Sequence, residues 1–498
     1  MADLQAILER QTSKVEELRQ QAESEPTVAS LQALASIYRD RAETFAGLGQ
    51  HDEALEDRQA AATLLAQLVL GAGRDDLVEH FVDVGEKLRE QLASLGRKDE
   101  ALDQALSETQ VVAATGQAAR AIAQIRRVVG EQEAALRQEA SVENLDRLLK
   151  ALSVLSGTLF AAEKAEEALA VEDRAVDAVR AFQPEQPDRL ASVRSNRALT
   201  RAALGNTDEA LAELDEVVAS YDQLVVGGDG THLAAAAEAR SRRGQVLLQQ
   251  NKVDEGIATL QETVAFVELH AKEGDQEGAA LLRSTLRHLT QAARSGSKLD
   301  EAFVAAERWA ALAQTLADQG GDLTSVEELL EAATERALVL HLLGRNDLAF
   351  EDANQIVETW DRLAQAQPGR LDVLQRVMMA LDLRERIAGA LGKHEEALAD
   401  QTAIINMTQQ LLQRGAPPQL IQGLLVSLQR RAATLKALGR NLEAQQDLDI
   451  LKQLVQRMTQ QPPGGGAGPG GAGGPLGGGA GGGGLGGGGG TSGGGIII

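Results

Sequence analysis

One eight-residue phrase recurs along this chain at an almost constant interval, and it limits what the chain can become more than any other feature. It reads LGQHDEAL at 48–55, LGRKDEAL at 95–102 and LGNTDEAL at 204–211, then LGRNDLAF at 343–350, LGKHEEAL at 391–398 and LGRNLEAQ at 438–445. Weaker copies are AEKAEEAL at 162–169, QNKVDEGI at 250–257 and GSKLDEAF at 296–303. The second residue of each copy marks positions 49, 96, 163, 205, 251, 297, 344, 392 and 439, separated by 47, 67, 42, 46, 46, 47, 48 and 47 residues. A fixed period of this size is the signature of stacked supersecondary units that share one core. The single long interval, between 96 and 163, needs its own account.

The phrase has a local meaning. Gly or Asn after a Leu tolerates the left-handed conformation that ends a helix. An acid follows within the first turn of the next helix, where it complements the helix dipole. Ala then lets two helices approach closely. Each copy therefore predicts a tight turn between antiparallel helices, with about 20 residues of helix on either side. Composition agrees: aromatics are only 2% of the chain and Ala and Leu dominate its apolar residues, which suits helix-on-helix packing better than strands.

These residues resemble the tetratricopeptide repeat (TPR) superfamily. There each repeat is a helix pair with Gly at the inter-helix turn and a small residue five positions later. Gly49/Ala54, Gly96/Ala101, Gly205/Ala210, Gly344/Ala349, Gly392/Ala397 and Gly439/Ala444 match. The family also places a small residue seven positions before the turn, as at Ala42, Ser156, Ala198, Gly244, Ala337 and Ala432; Thr290 is intermediate, while Arg89 and Glu385 depart. The usual TPR has about 34 residues, so a unit of 47 departs from it and implies longer helices or loops, as in some long-repeat, bacterial-type TPR proteins; HEAT-type repeats share that length but lack the phrase. The resemblance covers roughly residues 27–460. It implies an all-α fold, a right-handed α-solenoid of antiparallel helix pairs, with a peptide or protein bound on the concave face.

A second periodicity accompanies the first. Eight residues before the mark stand Arg41, Arg197, Arg243, Arg336, Arg384 and Arg431; eight residues after it stand Asp57, Glu213, Thr259, Asp352, Asp400 and Asp447. Where the first position is Leu (Leu88, Leu155, Leu289), the second carries no acid (Gln104, Val171, Ala305). Positions equidistant from a tight turn lie level on antiparallel helices. The pattern thus predicts ion pairs Arg41–Asp57, Arg197–Glu213, Arg336–Asp352, Arg384–Asp400 and Arg431–Asp447, each a guanidinium able to hold a carboxylate with two hydrogen bonds.

About 20 helices follow from the pattern. We expect a capping helix in 1–26, a first TPR-like block at 27–116, an odd connecting helix at 117–140 and a main solenoid of seven pairs at 141–461. The odd helix accounts for the 67-residue interval. An unpaired helix should reverse the alternation of inner and outer helices, with a kink or sub-domain break near 97–140. From 462 on, the sequence PPGGGAGPGGAGGPLGGGAGGGGLGGGGGTSGGGIII has no charge; glycine at this density favours a disordered tail. Its one sticky element, Ile496–Ile498, is either a fortuitous end or a tethered latch.

Several function classes are disfavoured. A net charge of −24 opposes phosphate backbones and anionic lipid, so neither nucleic acid nor membrane is the expected partner; an acidic groove for a basic partner remains open. Without cysteine there are no disulfides and no thiolate zinc sites. The start is charged and amphipathic rather than a signal sequence, and a cytoplasmic protein is the default. The histidines are scattered, the acid pairs of the phrase belong to helix N-termini, and Trp309 and Trp360 read as packing residues, so neither an enzyme nor a cofactor is expected. Carboxylate-gripping TPR proteins carry basic residues and Asn on the first helices; Asn196, Arg242 and Arg430 are the nearest counterparts here. The partner's identity and the oligomeric state stay open, with a monomer as the starting expectation. The rival readings are a self-assembling structural protein and a regulatory adaptor for an enzyme on a separate chain.

Overall fold

All nine residues that mark the repeat adopt left-handed backbone. φ is 75° at Gly49, 76° at Gly96, 87° at Gly205, 74° at Gly344, 70° at Gly392 and 75° at Gly439. The weak copies do the same without glycine: 59° at Glu163, 61° at Asn251 and 60° at Ser297. The residue after each mark donates its N–H to a carbonyl five residues back, as Gln50 does to Phe45 (2.9 Å) and Lys252 to Leu247 (3.0 Å). This is the bond that closes a helix C-terminus in the Schellman manner, and it turns the chain by one helix diameter.

The computed structural model describes residues 2–24, 27–183, 186–272, 275–320, 323–367, 370–413 and 420–460. Among them lie twenty α-helices: α1 (Ala2–Ser24), α2 (Val28–Gly47), α3 (His51–Ala72), α4 (Val78–Ser94), α5 (Lys98–Ala114), α6 (Ala118–Gln138), α7 (Val142–Ala161), α8 (Ala165–Phe182), α9 (Pro187–Ala203) and α10 (Thr207–Val226), then α11 (Leu233–Gln249), α12 (Val253–His270), α13 (Gln276–Ser295), α14 (Leu299–Gly320), α15 (Leu323–Leu342), α16 (Asn346–Ala366), α17 (Leu371–Ala390), α18 (His394–Gln413), α19 (Leu420–Ala437) and α20 (Asn441–Gln460). Short 3-10 turns at Asp75–Leu77 and Gly230–His232, which the pattern does not foretell, lead into α4 and α11. The glycine-rich segment and Ile496–Ile498 lie outside the described residues.

The small residues of the phrase sit where helices touch. Ala54, Ala168, Ala210, Ala302, Ala349 and Ala444, five positions after the mark, are fully buried, as are Ala42, Ala198, Thr290 and Ala337, seven before it. In α11 and α12 the pair becomes Gly244 and Gly256. A Cβ on Gly256 would stand 3.0 Å from the Gly244 carbonyl oxygen and 2.7 Å from Leu248 Cγ. At the two departures the space is used for charge. Arg89 reaches the buried Glu108 at 3.0 Å, and Glu385 accepts from Gln401 at 2.7 Å. Gly85 makes the first possible, because a Cβ there would lie 2.4 Å from Glu108 Oε1.

By compactness the chain forms two units, Met1–Leu383 and Arg384–Ile498, the boundary lying inside α17. In the first unit each helix from α1 to α15 packs on the next, and alternate helices meet as α3 with α5, α5 with α7, α9 with α11, α11 with α13 and α13 with α15. All of these are odd-numbered. In the first block they are the second helices of the phrase-defined pairs; from α7 on they are the first. The odd helix α6 produces this exchange, so the alternation relative to the phrase does reverse. A sub-domain break at 97–140 does not accompany it, since that stretch lies inside the first unit. Gly116, with φ 78°, turns α5 tightly into α6, and the two neighbouring cores interleave there, Ala121 of α6 belonging to one and Ile122 to the next. In the second unit, Leu398, Ala432, Leu435 and Ala444 form a small core between α18, α19 and α20.

Candidate interaction surface

The level positions on paired helices are joined. Arg41 Nε and Nη2 donate to the two carboxylate oxygens of Asp57, both at 2.7 Å. The same two-pronged bond links Arg336 to Asp352 (2.8 and 2.7 Å), Arg384 to Asp400 (2.9 and 2.6 Å) and Arg431 to Asp447 (2.8 and 2.6 Å). Asp57, Asp400 and Asp447 are buried. Glu213 is a hub: Arg197, Arg194 (3.0 Å) and Arg201 (2.9 Å) all donate to it. Burial pushes its proton affinity up, but the bonds from Arg197 and Arg194 outweigh that and hold the carboxyl below its ordinary value. Where Thr259 replaces the acid, Arg243 bonds the hydroxyl at 3.0 Å and turns its Nε to Asp215 of α10 at 2.6 Å. Two of the three Leu repeats fill the same place with apolar side chains, buried Leu155 with Val171 and Leu289 with Ala305; in the third, Leu88 is buried and Gln104 donates to Glu108 at 3.4 Å.

Sequence reasoning missed a second set of pairs, which joins successive repeats. Along the odd row, Arg147 of α7 bonds Asp99 of α5 at 2.6 Å, and Lys150 bonds Asp103. Arg189 of α9 bonds Asp146 of α7. Arg283, Arg287 and Arg294 of α13 meet Glu328, Glu331 and Glu335 of α15 at 2.5, 3.7 and 3.1 Å. The even row carries its own, including Arg126 of α6 with Glu167 of α8 at 2.5 Å and Arg308 of α14 with Glu268 of α12. The partners stand 40–48 residues apart in sequence, which is about one repeat. That spacing was the available signal. Individually such half-exposed pairs contribute little, about 0–1 kcal/mol each; as a ladder they mark which residues of neighbouring repeats sit side by side.

This ladder decides the standing of the groove candidates. Arg242 Nη1 donates to Asn196 Oδ1 at 2.8 Å and to Ser195 Oγ at 2.9 Å, and its other nitrogen bonds Glu238. Asn196 and Arg242 are therefore brought together on α9 and α11, bonded to each other across the repeat boundary. Arg430 lies in the second unit, where it bonds Glu385 at 3.2 Å.

Two buried carboxyls have raised proton affinities. Glu108 is pushed up by burial, partly offset by Arg89. Burial likewise raises Glu172, which takes hydrogen bonds from Ser156 Oγ (2.6 Å) and Thr200 Oγ1 (2.9 Å) on one oxygen and none on the other. His288 on α13 is held down by burial and by neighbouring Arg287. Trp309 is almost wholly buried, and Trp360 is buried in α16. Among the described residues no group of three His, Asp or Glu side chains is placed to hold a metal ion, and no helix is long and apolar enough to cross a membrane.

A slot of about 930 Å³ lies between α3 and α5 on the odd row. Phe81, Leu88 and Leu92 of α4 form its floor, and Ala62, Ala66 and Leu70 of α3 one wall.

No protein-family profile and no curated protein matches the chain. Among solved structures it is similar to BtubC from P. vanneervenii (16% identity, TM-score 0.39, covering 52% of this chain and 95% of that one). It is similar to the TPR-like repeats of a putative kinesin light chain from Podosopora anserina (16% identity, TM-score 0.33, 44% of this chain and 97% of that one). It also resembles a signal transduction ATPase with a tetratricopeptide repeat sensor from Pyrococcus horikoshii (12% identity, TM-score 0.41), aligning over 76% of this chain and spanning about half, 53%, of that one. At these scores the fold assignment rests on the turns and helix pairs of the chain itself.

Proposed function

We propose that this array of TPR-like helix pairs is a non-catalytic interaction scaffold, and that its odd-numbered helices form the concave face on which a peptide or protein partner binds. The observation that carries the reading is the row α3, α5, α7 and α9, α11, α13, α15, whose members meet one another directly across repeats. Such a row offers a long, ridged surface that no single repeat supplies. The buried carboxyls Glu108, Glu172 and Glu213 are tied to Arg89, to hydroxyls and to three arginines, which suits structural roles. Strong acidity makes a cytoplasmic protein or peptide a better partner than nucleic acid or membrane. The blocks 1–26, 27–116, 117–140, 141–461 and 462–498 remain the working division of labour, with the glycine-rich segment as tether.

The test is affinity purification from the native cell with the full chain and with a version ending at Gln461, followed by cross-linking mass spectrometry of whatever is retained. Cross-links from one defined partner to odd-numbered helices support the scaffold. Cross-links confined to even-numbered helices, or a partner lost with the segment after Gln461, refute it. Recovery of only a second copy of this chain moves the function to self-assembly.

A further inference from the structure

We infer that the slot between α3 and α5 is a docking pocket for a peptide segment that presents one large apolar side chain flanked by Lys or Arg. The inference rests on the scaffold reading and names the chemistry of one site on its odd row.

Three observations carry it. First, residues 60–72 of α3 read AAATLLAQLVLGA. A helix this apolar around its circumference is normally covered on all sides. Here Leu65, Leu68 and Val69 are buried in the core, while Leu70 on the slot wall is 55% exposed. Second, the slot is an open groove of about 930 Å³ with an ordered wall. Its wall residues Ala62, Ala66 and Leu70 are spaced by four and so stack on one face of α3. Beside them, also spaced by four, run Gln59, Thr63 and Gln67. A polar, uncharged stripe next to an apolar one suits a peptide whose side chain enters the slot while its backbone lies along the amides. Third, the charged side chains that line the slot are both acids, and each is paired with a base that stands outside the lining. Glu100 and Asp103 line the slot on the α5 side, and no Lys or Arg lines it. Both acids are about half exposed and bonded to Arg97 and Lys150, in the kind of surface pair that exchanges cheaply for another cation. With a net charge of −24 on the chain, an incoming base is favoured and an incoming acid is repelled.

The site belongs to the second helices of the phrase-defined pairs. It exists as part of the odd row because α6 exchanges the roles of the two helices.

The experiment uses the full chain and three fluorescein-labelled decapeptides built on a Gly/Ser background, with Lys-Leu-Lys, Glu-Leu-Glu or Lys-Ala-Lys at the centre. Fluorescence anisotropy should show the first binding at least about tenfold more tightly than either of the others. Leu70→Ser and Ala66→Phe, the first removing the apolar wall and the second filling the slot, should each weaken it by about tenfold. Leu70 is exposed, so Leu70→Ser keeps the test valid if Ala66→Phe disturbs folding; circular dichroism melts of both variants identify that case. Equal affinity for the three peptides, no binding of any, or binding indifferent to Leu70→Ser overturns the inference. A cross-linked partner on α9–α15 that survives both substitutions leaves the scaffold reading standing while this site falls; peptide selectivity at the slot with cross-links confined to the even helices does the reverse.

Discussion

Arg41 grips Asp57 with two hydrogen bonds of 2.7 Å across a turn centred eight residues from each. The acid is buried and the guanidinium mostly so. The bonds raise the proton affinity of Arg41, working against its desolvation. Removing either partner alone strands the other in a dry place, at a cost of about 3 kcal/mol. The chain itself shows the alternative, since Leu289 and Ala305 occupy the equivalent positions with no charge at all. Arg41→Leu combined with Asp57→Ala should therefore come within about 1 kcal/mol of the parent in a denaturant melt. It should fall slightly short, because Arg41 also lies over the rings of Tyr38 and Phe45 at 5.7 and 5.4 Å. A double variant as unstable as the worse single one would show that the pair does more than hold register.

The weak copies of the phrase carry a backbone cost. Glu163 holds φ at 59° with a Cβ that crowds its carbonyl, a conformation about 1 kcal/mol or more above the ordinary one for a side-chain-bearing residue. Glu163→Gly should raise stability by about 1 kcal/mol, read as a shift of the melting midpoint. Asn251→Gly should gain less, because Asn tolerates this region. No gain at Glu163 would mean that the turn is held by contacts beyond its own backbone.

Two helical glycines should respond to alanine with opposite signs. At Gly157 nothing lies within 4 Å of the place a Cβ would occupy, so Gly157→Ala should stabilise by about 0.5–1 kcal/mol through helix propensity. At Gly256 the new carbon meets Leu248 at 2.7 Å and the Gly244 carbonyl at 3.0 Å. Separating α11 from α12 should cost about 1–3 kcal/mol and override the propensity gain. Equal effects in thermal melts would contradict the close approach of these helices.

Stability should depend on pH through Glu172 in the direction opposite to most carboxyls. Its folded proton affinity is raised by burial. Its contribution is therefore full below the unfolded value and is lost as pH rises through the folded one. Glu172→Gln removes that loss, so the variant should be less sensitive than the parent to alkalinisation from about pH 5 upward, and the more stable of the two at pH 8. Glu213 behaves the other way. Its folded value is lowered, so its contribution is present above the unfolded value and disappears as pH falls through the folded one. Denaturant midpoints of parent, Glu172→Gln and Glu213→Gln across pH 3–8 check both signs; parallel curves for the parent and Glu172→Gln would refute the first.

The repeat phrase alone determined nine of the turns, and through them the helix pairs. A left-handed residue, a following acid and a small residue five places on are properties of one hairpin, closed by bonds among a few neighbouring residues. That is why Glu163, Asn251 and Ser297 could be assigned to the same turn as the glycines. The level Arg and acid positions were legible for the same reason, since antiparallel helices fix which positions face each other. The pairs between repeats were not. Arg283 and Glu328, or Arg242 and Asn196, meet only because two hairpins stack at a particular offset, and that offset is a property of the packed core rather than of either hairpin. The slot beside Leu70 belongs to the same class: its wall, floor and rim come from three helices, and the odd helix α6 decides which of them lie along one row. Local backbone chemistry set the elements of this protein; the burial of side chains between elements set which surfaces they present.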